Sequence, residues 1–193
     1  MTLLGYLPPQ RDQWDEVLTV ARRGYKDFCN EVIIKREMLV NEPVEDHPLS
    51  QSKGSRWKTF FEDSEIMEQI QRDIVRTHPD IHFFSSGSAN DSLEASKANP
   101  VHAAMSRALF VFAKLNPGIR YVQGMNEIYA PLFYTFKTCR DRRFEDDAEA
   151  DAFNCFVMLI SEFRDHFCKQ VRTRLSFAFL FLFRVSCLCS ALI

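Results

Sequence analysis

AEADAFNCFVMLISEFRDHF, residues 148–167, decides the fold class. Ala148, Ala152, Phe153, Phe156, Val157, Ile160, Phe163 and Phe167 recur there at helical spacing. A period near 3.6 residues gathers them on one face of an α-helix. The same rhythm returns upstream in Val101, Met105, Ala108, Leu109, Phe112 and Leu115, and Asn116-Pro117-Gly118 then signals a stop and a turn. Near the start, Trp14, Val17, Leu18, Ala21, Tyr25, Phe28, Val32 and Ile33 mark a buried stripe on a helix of about 25 residues, which Gly24 weakens. No hairpin signature and no alternating strand pattern occurs. The chain reads as all-α, with about six to eight helices.

Between these helices the pattern is less regular. Pro43, Pro48 and Gly54 among polar residues read as a loop over residues 41–56. Trp57, Phe60 and Phe61 follow as an aromatic cluster, read as seating that loop on the core in preference to binding a ligand. Ser64, after Glu62 and Asp63, reads as the N-cap of a helix whose apolar face holds Ile66, Ile70 and Ile74. Pro79 ends it, which leaves Arg76 near a helix C-terminus. Residues 85–99 read as a flexible connection. Pro131 reads as a first-turn residue of a helix over Leu132 to Phe136. Asp141 to Asp151 carries six carboxylates against two arginines and reads as a solvated rim.

Composition limits the function. A formal charge of -2 offers no basic excess for a nucleic-acid backbone. The six cysteines form no CxxC pair, and they read as buried or incidental thiols of a reducing compartment. Met1-Thr2-Leu3-Leu4-Gly5 is a poor signal peptide, so a cytoplasmic location is expected. His78 and His82 are spaced i,i+4 but Pro79 lies between them, and no metal site is expected. No phosphate-binding glycine loop, dinucleotide motif or GxSxG elbow occurs. Leu175 to Ile193 contains 15 apolar residues out of 19, with Arg184 near the centre. That tail has the length for a marginal membrane span, against which Arg184 costs about 2.5–3.5 kcal/mol; it also reads as a buried terminal helix or, foremost, as a segment that does not belong to the fold.

Two short segments remain. In Ile70-Gln71-Arg72-Asp73-Ile74-Val75-Arg76, Asp73 and Arg76 can share a helix face, and a carboxylate can orient a guanidinium toward a phosphate. In Tyr121-Val122-Gln123-Gly124-Met125-Asn126, Gln123 has both a donor and an acceptor with which to hold a water molecule. Gly124 implies a close backbone approach or an awkward dihedral, and Asn126 can tie the loop to its own backbone or cap the next turn. Taken singly, each segment also fits a surface ion pair and an ordinary loop.

Together they resemble the two catalytic motifs of the TBC family, the Rab GTPase-activating domains. Ile70-x-x-Asp73-x-x-Arg76 is similar to the first, and Tyr121-x-Gln123 with Gly124-Met125-Asn126 to the second. Phe60 to Phe83, Ala113 to Phe136 and Glu149-Ala150-Asp151 look most like the member-13 group. The likeness runs from about Leu3 to about Lys169. It implies the N-terminal helical subdomain of such a domain over residues 1–174, a shortened insertion at Ser85–Asn99, a divergent apolar tail at 175–193, and a C-terminal subdomain largely absent. It also implies a GTPase activator, not an enzyme with a substrate of its own. Arg76 would be the arginine finger and Gln123 the glutamine finger, with Asp73, Tyr121, Gly124 and Asn126 in support. The partner would be a GTP-bound Rab-type GTPase, which itself holds the GTP and Mg2+, so this chain needs no cofactor. Membranes would be reached peripherally, through that partner, in vesicle trafficking. The alternatives are a non-catalytic Rab-binding module, an inactive truncated fragment, or a membrane-tethered form that uses the tail.

Overall fold

The computed structural model describes residues 5–32, 56–85 and 99–170. A 3-10 turn, Arg11–Gln13, leads into α1, Trp14–Val32. Then come α2, Arg56–Val75; α3, Pro100–Leu115; α4, Met125–Lys137; the short α5, Arg142–Glu145; and α6, Ala148–Gln170. The all-α expectation holds, and no strand occurs among the described residues.

α3 is the central element. Asn99 caps it by accepting from the Val101 N–H at 2.9 Å, and Pro100 takes a first-turn position where no N–H is needed. Its Met105, Leu109, Val111 and Phe112 are almost wholly buried. α2 lies against α3, while α4 and α1 pack most extensively on α6. The aromatic rings interlock at that centre. Phe112 meets Phe156 edge-on at 5.0 Å, and Tyr129 meets the same ring at 5.7 Å. Edge-to-face pairs add about 0.5–1.5 kcal/mol each beyond their burial.

Three expectations need correction. α2 begins at Arg56, not at Ser64. Trp57, Phe60 and Phe61 therefore lie on its first turns, and their rings contact one another at 5.9–6.2 Å. Phe61 is 49% exposed, while Trp57 and Phe60 are half-buried, and the loop that the cluster is expected to seat lies outside the described residues. Ser64 is interior, and its hydroxyl donates back to the Phe60 carbonyl at 2.7 Å. Second, Pro131 lies inside α4, which starts at Met125. An interior proline costs about 3 kcal/mol, and burial of Met125, Tyr129, Leu132, Phe133 and Phe136 offsets it. Third, the acidic stretch is not wholly a rim. Asp151 is fully buried, accepting from Arg22 Nε at 2.9 Å and Nη2 at 2.6 Å and from the Tyr6 hydroxyl at 3.2 Å. Glu149 accepts from Arg107 and from the Tyr25 hydroxyl, and Asp147 pairs with Lys26 at 2.9 Å. These bonds tie α6 to α1 and α3.

The loop at 41–56 lies outside the described residues except for Arg56. So does the connection at 85–99, apart from the turn residue Ser85 and the cap Asn99, and so does the whole tail at 175–193. Among the described cysteines Cys29 and Cys139 are half-buried and Cys155 is buried; all are free. Burial pushes the Cys155 thiol up to about 12, so it stays an inert thiol. Among the described residues no helix is long and apolar enough to cross a membrane, and no cluster of His, Cys, Asp and Glu could hold a metal ion.

Candidate functional site

The site forms where the C-terminal end of α2 meets the turn that opens α4. Ile70 and Ile74 anchor α2 in the core, and that rotation places Asp73 on the edge of the buried face. The last turn tightens. The Arg76 N–H bonds to the Asp73 carbonyl at 3.2 Å and the Thr77 N–H to the Ile74 carbonyl at 3.0 Å. Arg76 emerges at this end with 69% of its side chain exposed.

Asp73 is the hub. One carboxylate oxygen accepts from Arg76 Nη2 at 2.8 Å, and the other accepts from the Tyr121 hydroxyl at 2.9 Å. That hydroxyl also lies 3.3 Å from Asn126 Oδ1, but its single proton goes to the nearer, charged acceptor. Burial, reinforced by the bond to Asp73, pushes the Tyr121 phenol well above its ordinary range, so it remains a donor. Arg76 Nε is engaged by the Arg72 carbonyl at 3.1 Å. The guanidinium is held along one edge and open along the other.

Asn126 links the second segment to the first. Its Nδ2 donates to the Thr77 hydroxyl at 2.8 Å, and that hydroxyl donates in turn to the Asp73 carbonyl at 2.9 Å. Its Oδ1 accepts from the Gly124 N–H at 3.1 Å. Asn126 thus ties the turn to its own backbone and bridges it to α2; it does not cap the helix, whose N-cap is Gly124 with no side-chain cap bond. Between Val122 and Met125 the chain makes a tight turn, closed by the Met125 N–H to the Val122 carbonyl at 3.1 Å. Gly124 has φ 102° and ψ -12°, the values that the third residue of a type II turn requires. A β-carbon there would meet no atom within 4 Å, so the dihedral and not a close approach calls for glycine. Gln123 is the residue before it, at the apex of the turn. It is exposed, and its amide makes no hydrogen bond to any described residue.

The structure therefore joins Asp73, Arg76, Tyr121, Gly124 and Asn126 in one hydrogen-bonded network and leaves Gln123 projecting from it. Chemically, the arrangement offers an exposed, pre-oriented guanidinium and, among the described residues, an unengaged carboxamide on neighbouring turns. Thr77 and Glu127 were not singled out by sequence reasoning. Thr77 is 1% exposed and completes the bridge; a hydroxyl directly after Arg76 was the available signal. Among the described residues the only non-glycine positions with positive φ are His78 at 46° and Arg120 at 57°, and each flanks one of the two segments.

Residues 45–184 match the model of the Rab-GTPase-TBC domain. That span reaches beyond Lys169, where the likeness read from the sequence fades. TBC1 domain family member 13 of Homo sapiens is 34% identical over 230 residues, covering 88% of this chain and 58% of that protein. Its Mus musculus counterpart is 36% identical with the same coverage. The chain thus spans little more than half the length of these relatives. The crystal structure of the Ypt/Rab-GAP domain of Gyp1p superimposes with a TM-score of 0.55 at 24% identity, covering 85% of this chain and 46% of that one. At that identity the likeness establishes the fold: the described helices are part of the same helical architecture.

Proposed function

The chain belongs to the Rab-GTPase-TBC domain family, and we propose that it accelerates GTP hydrolysis by a Rab-type small GTPase, acting in trans on the GTP-bound partner. The observation that carries the reading is Asp73. A nearly buried carboxylate orients an exposed arginine, and through Tyr121 and the Thr77–Asn126 bridge it is tied to the turn that presents Gln123.

In this reading Arg76 supplies the charge. During phosphoryl transfer negative charge spreads over the equatorial oxygens, and a guanidinium aimed beforehand stabilises it without reorganising. Asp73 and the Arg72 carbonyl remove the freedom that a long side chain would otherwise lose on docking. Gln123 supplies alignment. Its carbonyl oxygen accepts a hydrogen bond from the attacking water and its NH2 donates to the partner, so the nucleophile is held in line. Tyr121, Gly124 and Asn126 hold the turn. GTP and Mg2+ belong to the partner, and this chain contributes no cofactor. Recruitment to endomembranes from the cytoplasm would follow from the partner's own location.

Single-turnover phosphate release from a panel of GTP-loaded Rab-type GTPases tests the proposal. Acceleration is expected for at least one member, with Arg76→Ala and Arg76→Lys both silent, because lysine lacks the planar fork. Identical rates with and without the protein across the panel would sink it. Nucleotide-dependent binding without acceleration would instead identify a non-catalytic Rab-binding module.

A further inference from the structure

His78 lies two residues past Arg76 with its backbone in the left-handed region, which is disfavoured for any residue that has a β-carbon. Such outliers concentrate where surrounding structure over-determines the chain. At His78 the over-determining contacts are on view. Its Nε2 lies 3.3 Å from Glu127 Oε2. At that distance the two side chains form an ion pair when the ring is protonated. The ring also rests on Phe84, with centroids 5.7 Å apart.

Glu127 stands in the first turn of α4, four residues past Gln123. Its Oε1 lies 3.3 Å from Asn126 Nδ2, and its N–H donates to the Gly124 carbonyl at 3.2 Å. The His78–Glu127 contact therefore crosses from the turn that carries Arg76 to the turn that carries Gln123. Two further crossings, Thr77 to Asn126 and Asp73 to Tyr121, lie among buried groups. The His78–Glu127 contact faces solvent, with side chains 26% and 41% exposed. The buried crossings hold the root of the two segments, and a contact displaced toward the rim adds resistance to a pivot about them.

We propose that His78 and Glu127 form a clasp that fixes the spacing of Arg76 and Gln123. They are positioning residues, and this role rests on reading those two side chains as the fingers. A misplacement of roughly 1 Å costs about 100-fold in a positioned reaction. A solvent-exposed clasp backed by a buried bridge restrains less than that, so about a tenfold loss is expected.

The experiment compares His78→Asn, His78→Gly, Glu127→Ala and the double variant His78→Asn/Glu127→Ala. Asparagine tolerates the left-handed backbone but is too short to reach Glu127; glycine relieves the backbone altogether. Amide hydrogen exchange across residues 121–127 is measured on the protein alone, and kcat and KM on whichever partner the wild-type protein activates. Each single variant should speed exchange at Gly124 and Glu127 severalfold, with no further gain in the double variant. The stimulated kcat should fall about tenfold at unchanged KM, while the Tm of His78→Gly stays level or rises. A merely structural histidine would lower Tm and leave kcat alone. Unchanged exchange, additive effects in the double variant, or faster exchange at full kcat would each overturn the clasp. If the wild-type protein activates no GTPase, the finger reading has failed on its own account. Exchange then decides the clasp: equal gains in single and double variants support it, and unchanged exchange overturns it.

Discussion

The molecule uses the same three residue types twice, to opposite ends. Asp151 gathers Tyr6 and Arg22; Asp73 gathers Tyr121 and Arg76. Both carboxylates are buried and both tyrosines donate to them. The difference lies in the arginine. Arg22 is 15% exposed and gives two donors to Asp151, while reaching Asp147 and the Arg143 carbonyl as well. Those bonds to Asp151 hold it more firmly protonated than usual. Arg76 is 69% exposed and gives Asp73 a single donor. One set spends its whole guanidinium on tying α1 to α6. The other keeps half of it for something outside the chain. Burial and a bidentate bond make a structural lock; the same chemistry with an open edge makes a site.

The sharpest way to break that comparison is to remove each arginine in turn. Arg76→Ala should lower stimulated hydrolysis by about 10³-fold or more. Its pair is screened by solvent, so stability should fall by at most about 1 kcal/mol. Phosphate release and urea unfolding read the two effects separately. Arg22→Met should do the reverse, stranding Asp151 without its counter-charge at a cost of about 3 kcal/mol. Urea midpoints should show this loss, and the surviving folded protein should keep its activity per folded molecule. Equal destabilisation by both substitutions would mean that the two sets do the same job.

That contrast could not be read from the sequence, although its parts could. The helix faces were legible wherever apolar residues alternate at three and four, as in Ile70 and Ile74 or Met105, Leu109 and Phe112. The start of α2 was not, because Glu62-Asp63-Ser64 mimics a helix N-terminus in the middle of one. Pro131 misled in the same way: a local rule for proline yielded to tertiary burial of Tyr129 and Phe133. The acidic stretch from Asp141 to Asp151 looked solvated because its partners, Arg22, Tyr25 and Arg107, come from other helices. At the site, the bond between Tyr121 and Asp73 spans 48 residues, and no local spacing announces it. Only taking the two motifs as a pair brought them together. The clasp residues His78 and Glu127 belong to neither motif.

A smaller effect sharpens the comparison at the glutamine turn. Gly124→Ala has room for the new methyl group but not the dihedral. The expected loss is about 1–2 kcal/mol, felt as local opening of the 122–125 turn. Hydrogen exchange should rise there while amides of α1 and α6 keep their protection. Stimulated hydrolysis should fall further than global stability, since Gln123 sits on the displaced turn. Faster exchange in α1 instead would mean that the two regions unfold as one.

The smallest expected effect is in pH, where the two regions carry opposite signs. His102 donates from Nε2 to the Phe84 carbonyl at 2.6 Å and so pins the end of the turn that follows Arg76. Burial holds its pKa below the ordinary 6.5. The unfolded chain then takes up the proton first. The contribution of His102 is complete above pH 6.5 and is lost as pH falls through the lowered folded value. Burial pushes the Asp151 carboxyl up from 3.8, against the pull of Arg22. Its ionisation costs stability as pH rises through that raised value, so acid favours the folded form at this position. Acidification from pH 7.5 should therefore loosen the Thr77–Ser85 turn before it affects the α1–α6 contact. His102→Gln, whose amide can still donate but does not titrate, should flatten the loss of urea stability below pH 6.5. An unchanged slope in that variant would assign the acid sensitivity to another group and remove the opposition between the two regions.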